Sequence, residues 1–370
     1  MTDRALRRFF VVVMLTLMGF GCIAVYSATA VMSYETYGQS GRFVLIHVLA
    51  IGIGLAAAIA CLGVPFPTLR RWAKWLVLLS LALLVLVKLF GAEGGGARRW
   101  FRLGWFNMQP SEFAKVALVL YVADFLDRKR GVVQQLRDGF APPLIVSGAI
   151  AALVLLQPDL GSAVVLGAVT LLLLVIAKAR WQHVAGTLVV GALAMAVLIA
   201  GEGYRQRRML AFLNPWDDPQ GAGFQILQSY VALGNGGVVG QGLGASMQKL
   251  FYLPSAHTDF IFAVIGEELG LVGTTAVMGL FALLLSCCIR MAYTTADPFR
   301  KYLISGFAGL MGLEAVVHIA VVTGMMPTKG LPLPLVSYGG SAMVANCLAC
   351  ALVLQASRNG SAEWGMQHAD

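Results

Sequence analysis

Few residues in this chain can do chemistry, and those that can are grouped. The run His257-Thr258-Asp259-Phe260 places a carboxylate where a polar stretch meets an apolar one. A carboxyl group half out of water is harder to ionise than a solvated one, and it can take a proton from a hydroxyl near neutral pH. Upstream, Tyr204-Arg205-Gln206-Arg207-Arg208 puts three guanidinium groups into the same polar stretch, a cluster suited to a phosphate or pyrophosphate. The same residues also fit a helix cap beside a solvated basic loop, and spacing alone does not choose. Glu112 and Lys115 stand at i,i+3 and share a helical face, either as a buried ion pair or as part of a site. Ser111, directly after Pro110, is placed to cap that helix. Asp159, in Gln157-Pro158-Asp159-Leu160-Gly161-Ser162, is the cap of a following helix or an acid facing a cavity.

These residues need elements to hold them, and the composition says which kind. The 370 residues are 58% hydrophobic and only 12% charged, with a mean hydropathy of +0.78. Soluble domains carry about 25% charge, so an ordinary soluble enzyme, a disordered scaffold and a disulfide-stapled secreted domain are excluded. Apolar windows run at roughly 9–31, 43–63, 74–91, 112–126, 142–157, 161–178, 184–200, 260–289, 302–325 and 341–356. They have helix length and lack the alternation of barrel strands. The reading is an all-α polytopic membrane protein of about ten transmembrane helices, one domain over 1–370, with both termini on one side. The first window follows Arg4, Arg7 and Arg8 and exceeds a signal-peptide core, so it reads as a retained span. Of the Lys and Arg residues outside spans, sixteen fall on the side of the N-terminus and nine on the other. Both termini are therefore expected in the cytoplasm. That leaves one large periplasmic loop at about 201–259, interleaved with Trp216, Phe224, Phe251 and Tyr252, and smaller outer loops at 92–111 and 326–340.

Several suggestive patterns carry no function. The net charge of +9 is what cytoplasmic loops require and is not a sign of nucleic acid. All six cysteines lie in apolar runs, and Cys347-x-x-Cys350 has no accompanying strand or histidine, so neither a disulfide nor a metal site is expected. Gly240-x-Gly242-x-x-Ala245 lacks the strand and helix of a dinucleotide fingerprint. His257 and Asp259 at i,i+2 do not make a metal site; no cofactor is expected, and a divalent cation is left open. His47, His183 and His318 are scattered and read as packing or interface residues. The sequon Asn359-Gly360-Ser361 falls on the wrong side of the membrane. Outside the cytosol there is neither ATP nor nucleotide sugar, so an outer-face transferase needs a lipid-linked activated donor. The same parts could instead bind a lipid pyrophosphate for translocation.

Four longer motifs narrow this. Gln109-Pro110-Ser111-Glu112, the 157–162 run, Tyr252-Leu253-Pro254 with His257-Thr258-Asp259-Phe260, and Leu335-Val336-Ser337-Tyr338-Gly339-Gly340-Ser341 together resemble the SEDS (shape, elongation, division, sporulation) family across nearly the whole chain. Asn214-Pro215-Trp216-x-Asp218-Pro219, Gln248-Lys249 and Pro327-Thr328-Lys329-Gly330 look more like its division branch than its elongation branch. Ser255 departs from a common Glu, and the short N-terminal tail argues against the cytoplasmic docking attributed to longer tails. The resemblance implies a multi-pass enzyme of the bacterial cytoplasmic (inner) membrane, at the division septum, that polymerises lipid II into glycan strands. A lipid II flippase and a pure scaffold are the alternatives. It implies that Asp259 deprotonates the acceptor's 4-hydroxyl and that Arg208, then Arg205 or Arg207, meets the pyrophosphate. Glu112, Lys115, Asp159, His257, Lys329 and the loop beginning at Ser337 would support the cavity or the substrate. Implied partners are a class B penicillin-binding protein (a transpeptidase), other division-complex membrane proteins and membrane lipid.

Overall fold

A computed structural model describes residues 2–94, 97–104, 106–250 and 253–358. Phe251, Tyr252 and the sequon at 359–361 lie outside the described residues. Each of the ten apolar windows falls on a helix. In chain order these are α1 (Asp3–Tyr37), α2 (Arg42–Gly63) and α3 (Phe66–Phe90), then strands β1 (Ala92–Gly94), β2 (Ala97–Leu103) and β3 (Phe106–Met108). There follow α4 (Pro110–Arg128), a π-helical turn at Leu136–Phe140, α5 (Ala141–Leu155), α6 (Leu160–Ile176), α7 (Trp181–Ala200) and α8 (Gly203–Leu213). A 3₁₀ turn at Pro215–Asp217, α9 (Phe224–Gly236), α10 (Ile261–Thr294), α11 (Pro298–Val322) and α12 (Gly340–Ala356) complete the order.

Among the described residues, seven helical stretches are long and apolar enough to cross a membrane: α1, α2, α3, α5 with its π turn, α7, α10 and α11. The apolar α6 and α12 have 17 residues each, and α4 carries Glu112, Lys115, Asp124, Asp127 and Arg128. Helix α2 packs along α12, α3 along α4, and α1 along α10, while α4 and α6 both lie against α11. Helix α7 is peripheral, with Val184 its one buried residue.

The structure departs from the sequence reading in three places. The 92–108 stretch is a small antiparallel sheet of order β1-β2-β3, so the fold is mainly but not wholly helical. Extended, aromatic-bearing residues suit β2, and Gly104 at φ 66° takes the left-handed turn into β3. The 201–259 stretch, read only as one large loop, holds two helices, α8 and α9. Finally, α4 starts two residues earlier than Ser111 would allow as its cap. Pro110 occupies the first turn, where its missing N–H costs nothing, and Gln109 is the cap residue. Ser111 lies inside the helix, and its hydroxyl accepts from Gln109 Nε2 at 3.0 Å.

Helix α10 is broken at Gly270, which sits at φ 64°. The chain at 237–242 repairs the break from the side. Gln241 and Gly242 donate N–H groups to the carbonyls of Glu267 and Glu268 at 3.0 and 2.9 Å. Leu271 and Val272 donate to the carbonyls of Gly237 and Val238 at 2.9 and 3.1 Å. Buried irregular backbone needs such partners, because an unpaired N–H or carbonyl away from water is costly. Two carboxylates pin the same loop: Glu267 accepts from Ser246 Oγ and from the N–H groups of Met247 and Gln248. Glu268 accepts from Lys249 Nζ at 2.7 Å and from Ser27 Oγ of α1.

Candidate active site

One cavity of about 250 Å³ collects the polar residues at a single end of the bundle. Its walls come from β2 (Arg99), the α5–α6 turn (Asp159), α8 (Arg205, Arg208), the approach to α10 (Asp259) and the α11–α12 connection (Lys329). Each position has a local cause. Arg99 donates through Nε to the Gln157 carbonyl at 2.6 Å and through a terminal nitrogen to the Pro158 carbonyl at 2.7 Å. That clamp fixes the turn holding Asp159, whose carboxylate caps α6 by accepting from Ser162 N–H (3.0 Å) and Ser162 Oγ (2.8 Å). Asp159 is thus both a cap and a cavity wall.

On α8, Tyr204, Arg205 and Arg208 share the face toward the cavity, as i, i+1 and i+4 positions do. The Arg208 guanidinium lies 4.5 Å from the Tyr204 ring centre and donates to the Thr328 carbonyl at 3.1 Å. Arg207 is turned to the other side of the helix, exposed and off the cavity wall.

Asp259 ends a tight turn in which its N–H donates to the Ser255 carbonyl at 3.1 Å. Gly330 presses against it, since a Cβ at 330 would stand 3.2 Å from Asp259 Oδ2. Burial raises its carboxyl pKa to about 6, and the Asp159 carboxylate pushes the same way, against the pull of Arg208 and Arg99. Burial also lowers the Lys329 ammonium below its usual range.

The remaining candidates stand behind this surface. Ser337 Oγ donates to the Thr258 carbonyl at 2.7 Å, and Tyr338 N–H donates to the His257 carbonyl at 3.0 Å, so the 337–338 backbone steadies the residues before Asp259. The His257 ring does not line the cavity. It packs against Phe43 and Tyr338 with centroids 5.6 and 5.5 Å away, and burial lowers its pKa to about 4. Glu112 and Lys115 are buried deeper on α4, joined at 2.8 Å, and Lys115 also reaches Glu314 of α11. Among the described residues no group of three or more His, Cys, Asp or Glu is placed to hold a metal ion. The arrangement offers a half-buried acid able to accept a proton, facing four cationic side chains that would meet an anion.

The FtsW, RodA and SpoVE family of cell cycle proteins matches residues 7–362. The chain belongs to that family. It is 42% identical over 340 residues to a probable peptidoglycan glycosyltransferase FtsW of Geobacter metallireducens, covering 91% of each chain. To the stage V sporulation protein E of Bacillus subtilis it is 38% identical over 350 residues, 94% of this chain and 96% of the relative. A chain from a solved peptidoglycan synthase complex, described as coordinating polymerization and crosslinking, matches with a TM-score of 0.78 at 30% identity over 98% of both chains. The rod shape determining protein RodA of Thermus thermophilus matches with a TM-score of 0.71 at 30% identity, over 94% of this chain and 95% of its own.

Within this FtsW/RodA/SpoVE chain, reading by residue type overlooked Arg99 and Glu314, and it named Tyr204 only as the start of the basic run, without its place under Arg208. Glu314 had a signal: an acid inside an apolar window is a functional hypothesis by default. Arg99 had none, because its role depends on a hairpin that no hydropathy window marks.

Proposed function

We propose that this chain is a peptidoglycan glycosyltransferase that polymerises lipid II, with Asp259 as the general base. The observation that carries the assignment is a half-buried carboxylate facing Arg99, Arg205, Arg208 and Lys329 across one cavity. Asp259 takes the proton from the acceptor sugar's 4-hydroxyl. The freed oxygen attacks C1 of the lipid-linked donor and forms the new glycosidic bond with inversion. The C1–O bond to phosphate breaks, and its electron pair leaves with undecaprenyl pyrophosphate. Arg208, held over Tyr204, and Arg205 neutralise that leaving group. Lys329 and Asp159 shape the wall, while Ser337, His257, Glu112 and Lys115 support it from behind.

The chemistry belongs at the outer face of the cytoplasmic membrane. Ten spans with both termini cytoplasmic put the cavity and the 201–259 segment outside. In support, Arg7 of α1 donates to the Ser357 carbonyl after α12 at 2.9 Å, so the start of α1 and the end of α12 lie together. The connections that build the cavity are alternate ones along the chain, as one end of an up-and-down bundle requires. A class B penicillin-binding protein is the partner, and the similarity to relatives named FtsW supports work at the division septum with other division-complex proteins.

The test is polymerisation of labelled lipid II by the purified chain with its transpeptidase partner. Asp259→Asn keeps the shape, removes the base and should reduce the rate about 10²–10⁴-fold. Undiminished glycan synthesis by that variant would overturn the assignment. Wild-type protein that moves lipid II across vesicles and never polymerises it would favour translocation instead.

A further inference from the structure

Histidine 318 has no part in the chemistry above, yet its surroundings are specific. It lies one helical turn beyond Glu314 on α11, and its residue is 2% exposed. Its Nδ1 stands 2.8 Å from the carbonyl oxygen of Leu331. A carbonyl can only accept, so Nδ1 carries the hydrogen and donates. Nε2 is buried and has no partner among the described residues.

Leu331 ends the strip 327–331, which has no regular secondary structure. Pro327, Thr328, Lys329 and Gly330 of that strip line the cavity, and Gly330 abuts Asp259. Without a ladder of backbone bonds, side chains from elsewhere must set its place. Arg208 holds the Thr328 carbonyl, Ser337 Oγ accepts from Leu333 N–H at 2.8 Å, and His318 holds the Leu331 carbonyl. The Leu331 side chain also meets α6, because a Cβ on Gly161 would come 2.9 Å from it.

We propose that His318 is a positioning residue: its Nδ1–H bond to Leu331 sets where the 327–331 strip stands against the Asp259 carboxylate. The inference rests on the reading of Asp259 as the base. The ring has two nitrogens with different surroundings, so two amides separate them. Asparagine puts an N–H where Nδ1–H stands, and glutamine puts one near Nε2.

The experiment measures lipid II polymerisation by the full chain with its transpeptidase partner for His318→Asn, His318→Gln and Asp259→Asn. Melting temperature in detergent is recorded for each. His318→Asn is expected within about threefold of wild type, and His318→Gln to lose about 10- to 100-fold in kcat with a smaller change in KM, as a displaced wall would cause. In His318→Gln the acidic limb of the rate–pH profile should move below its wild-type midpoint, because a loosened strip admits water to Asp259. The charges facing Asp259 from the other elements are unchanged: Arg99 of β2, Asp159 at the start of α6, Arg205 and Arg208 of α8, and Lys329 on the strip. Full activity in His318→Gln overturns the inference, as does a His318→Asn variant that is inactive or does not fold. A rate loss in His318→Gln with the acidic limb unmoved marks a purely structural effect and overturns it too. Asp259→Asn separates the two readings: if it polymerises normally the base assignment fails, and if it is inactive while His318→Gln is fully active only the positioning role fails.

Discussion

The environment of Asp259 decides which form of its carboxyl exists at a given pH. Only the carboxylate can accept the acceptor's proton, and the pKa is raised to about 6. Polymerisation should therefore be high above pH 7 and fall as pH drops through about 6, well above the ordinary carboxylate range. The neighbours give the profile a sign that mutation can test. Asp159→Asn removes a negative charge that raises the Asp259 pKa, so the acidic midpoint should move down. Asparagine can still cap α6. Arg208→Gln removes a charge that lowers the pKa, so the midpoint should move up, with a further loss of rate from the leaving group. Rate–pH profiles in which both variants shift the same way would contradict this account. At this scale the acid, Asp159 and the Arg205–Arg208 pair were legible from sequence, because each sits in a short polar run. Gly330 and Arg99 were not, since what makes them matter is contact with Asp259 or with the turn bearing Asp159, both remote in the chain.

Between elements, the bond from α4 to α11 is ionic and buried. Lys115 lies between Glu112 and Glu314, all three at or below about 5% exposure. Lys115→Met would strand two carboxylates in an apolar interior, a loss of about 3–5 kcal/mol. Glu314→Gln leaves one ammonium with one carboxylate and an amide oxygen that still accepts, so it should be much milder. Melting temperatures in detergent check the ranking, and an equal loss in both would refute it. Helix α10 makes a second case. Gly270 holds a left-handed conformation, and a Cβ there would lie 2.4 Å from the Gly240 nitrogen. Gly270→Ala should cost on the order of 2–3 kcal/mol through strain and the displaced 237–242 backbone. A variant as stable as wild type would mean that the break is not held as described. Hydropathy located every helix of the ten windows, because burial or lipid contact demands apolar length. It missed the sheet, α8 and α9, which form from polar segments, and it passed over the break in α10, because hydropathy reads side chains and what changes at Gly270 is the backbone.

For the molecule as a whole, charge makes up 12% of the residues, and the proposed topology and the proposed site both rest on how it is divided by position. Basic clusters at one end can orient the chain only if the cavity end faces outward. That end also holds the acids and cations of the site, and it is where a lipid-linked donor would be available. Orientation and chemistry therefore stand or fall together. Two exposed positions at opposite ends test them: Gln220, between the 3₁₀ turn and α9, and Gln134, between α4 and α5. The six native cysteines lie within helices, four of them buried, so the unsubstituted chain serves as the background. In intact spheroplasts a membrane-impermeant maleimide should label Gln220→Cys and spare Gln134→Cys until the membrane is permeabilised. The reverse pattern would place Asp259 in the cytoplasm and remove the outer-face reaction. Labelling of both positions in intact cells would break the alternation of spans on which the bundle's two ends depend.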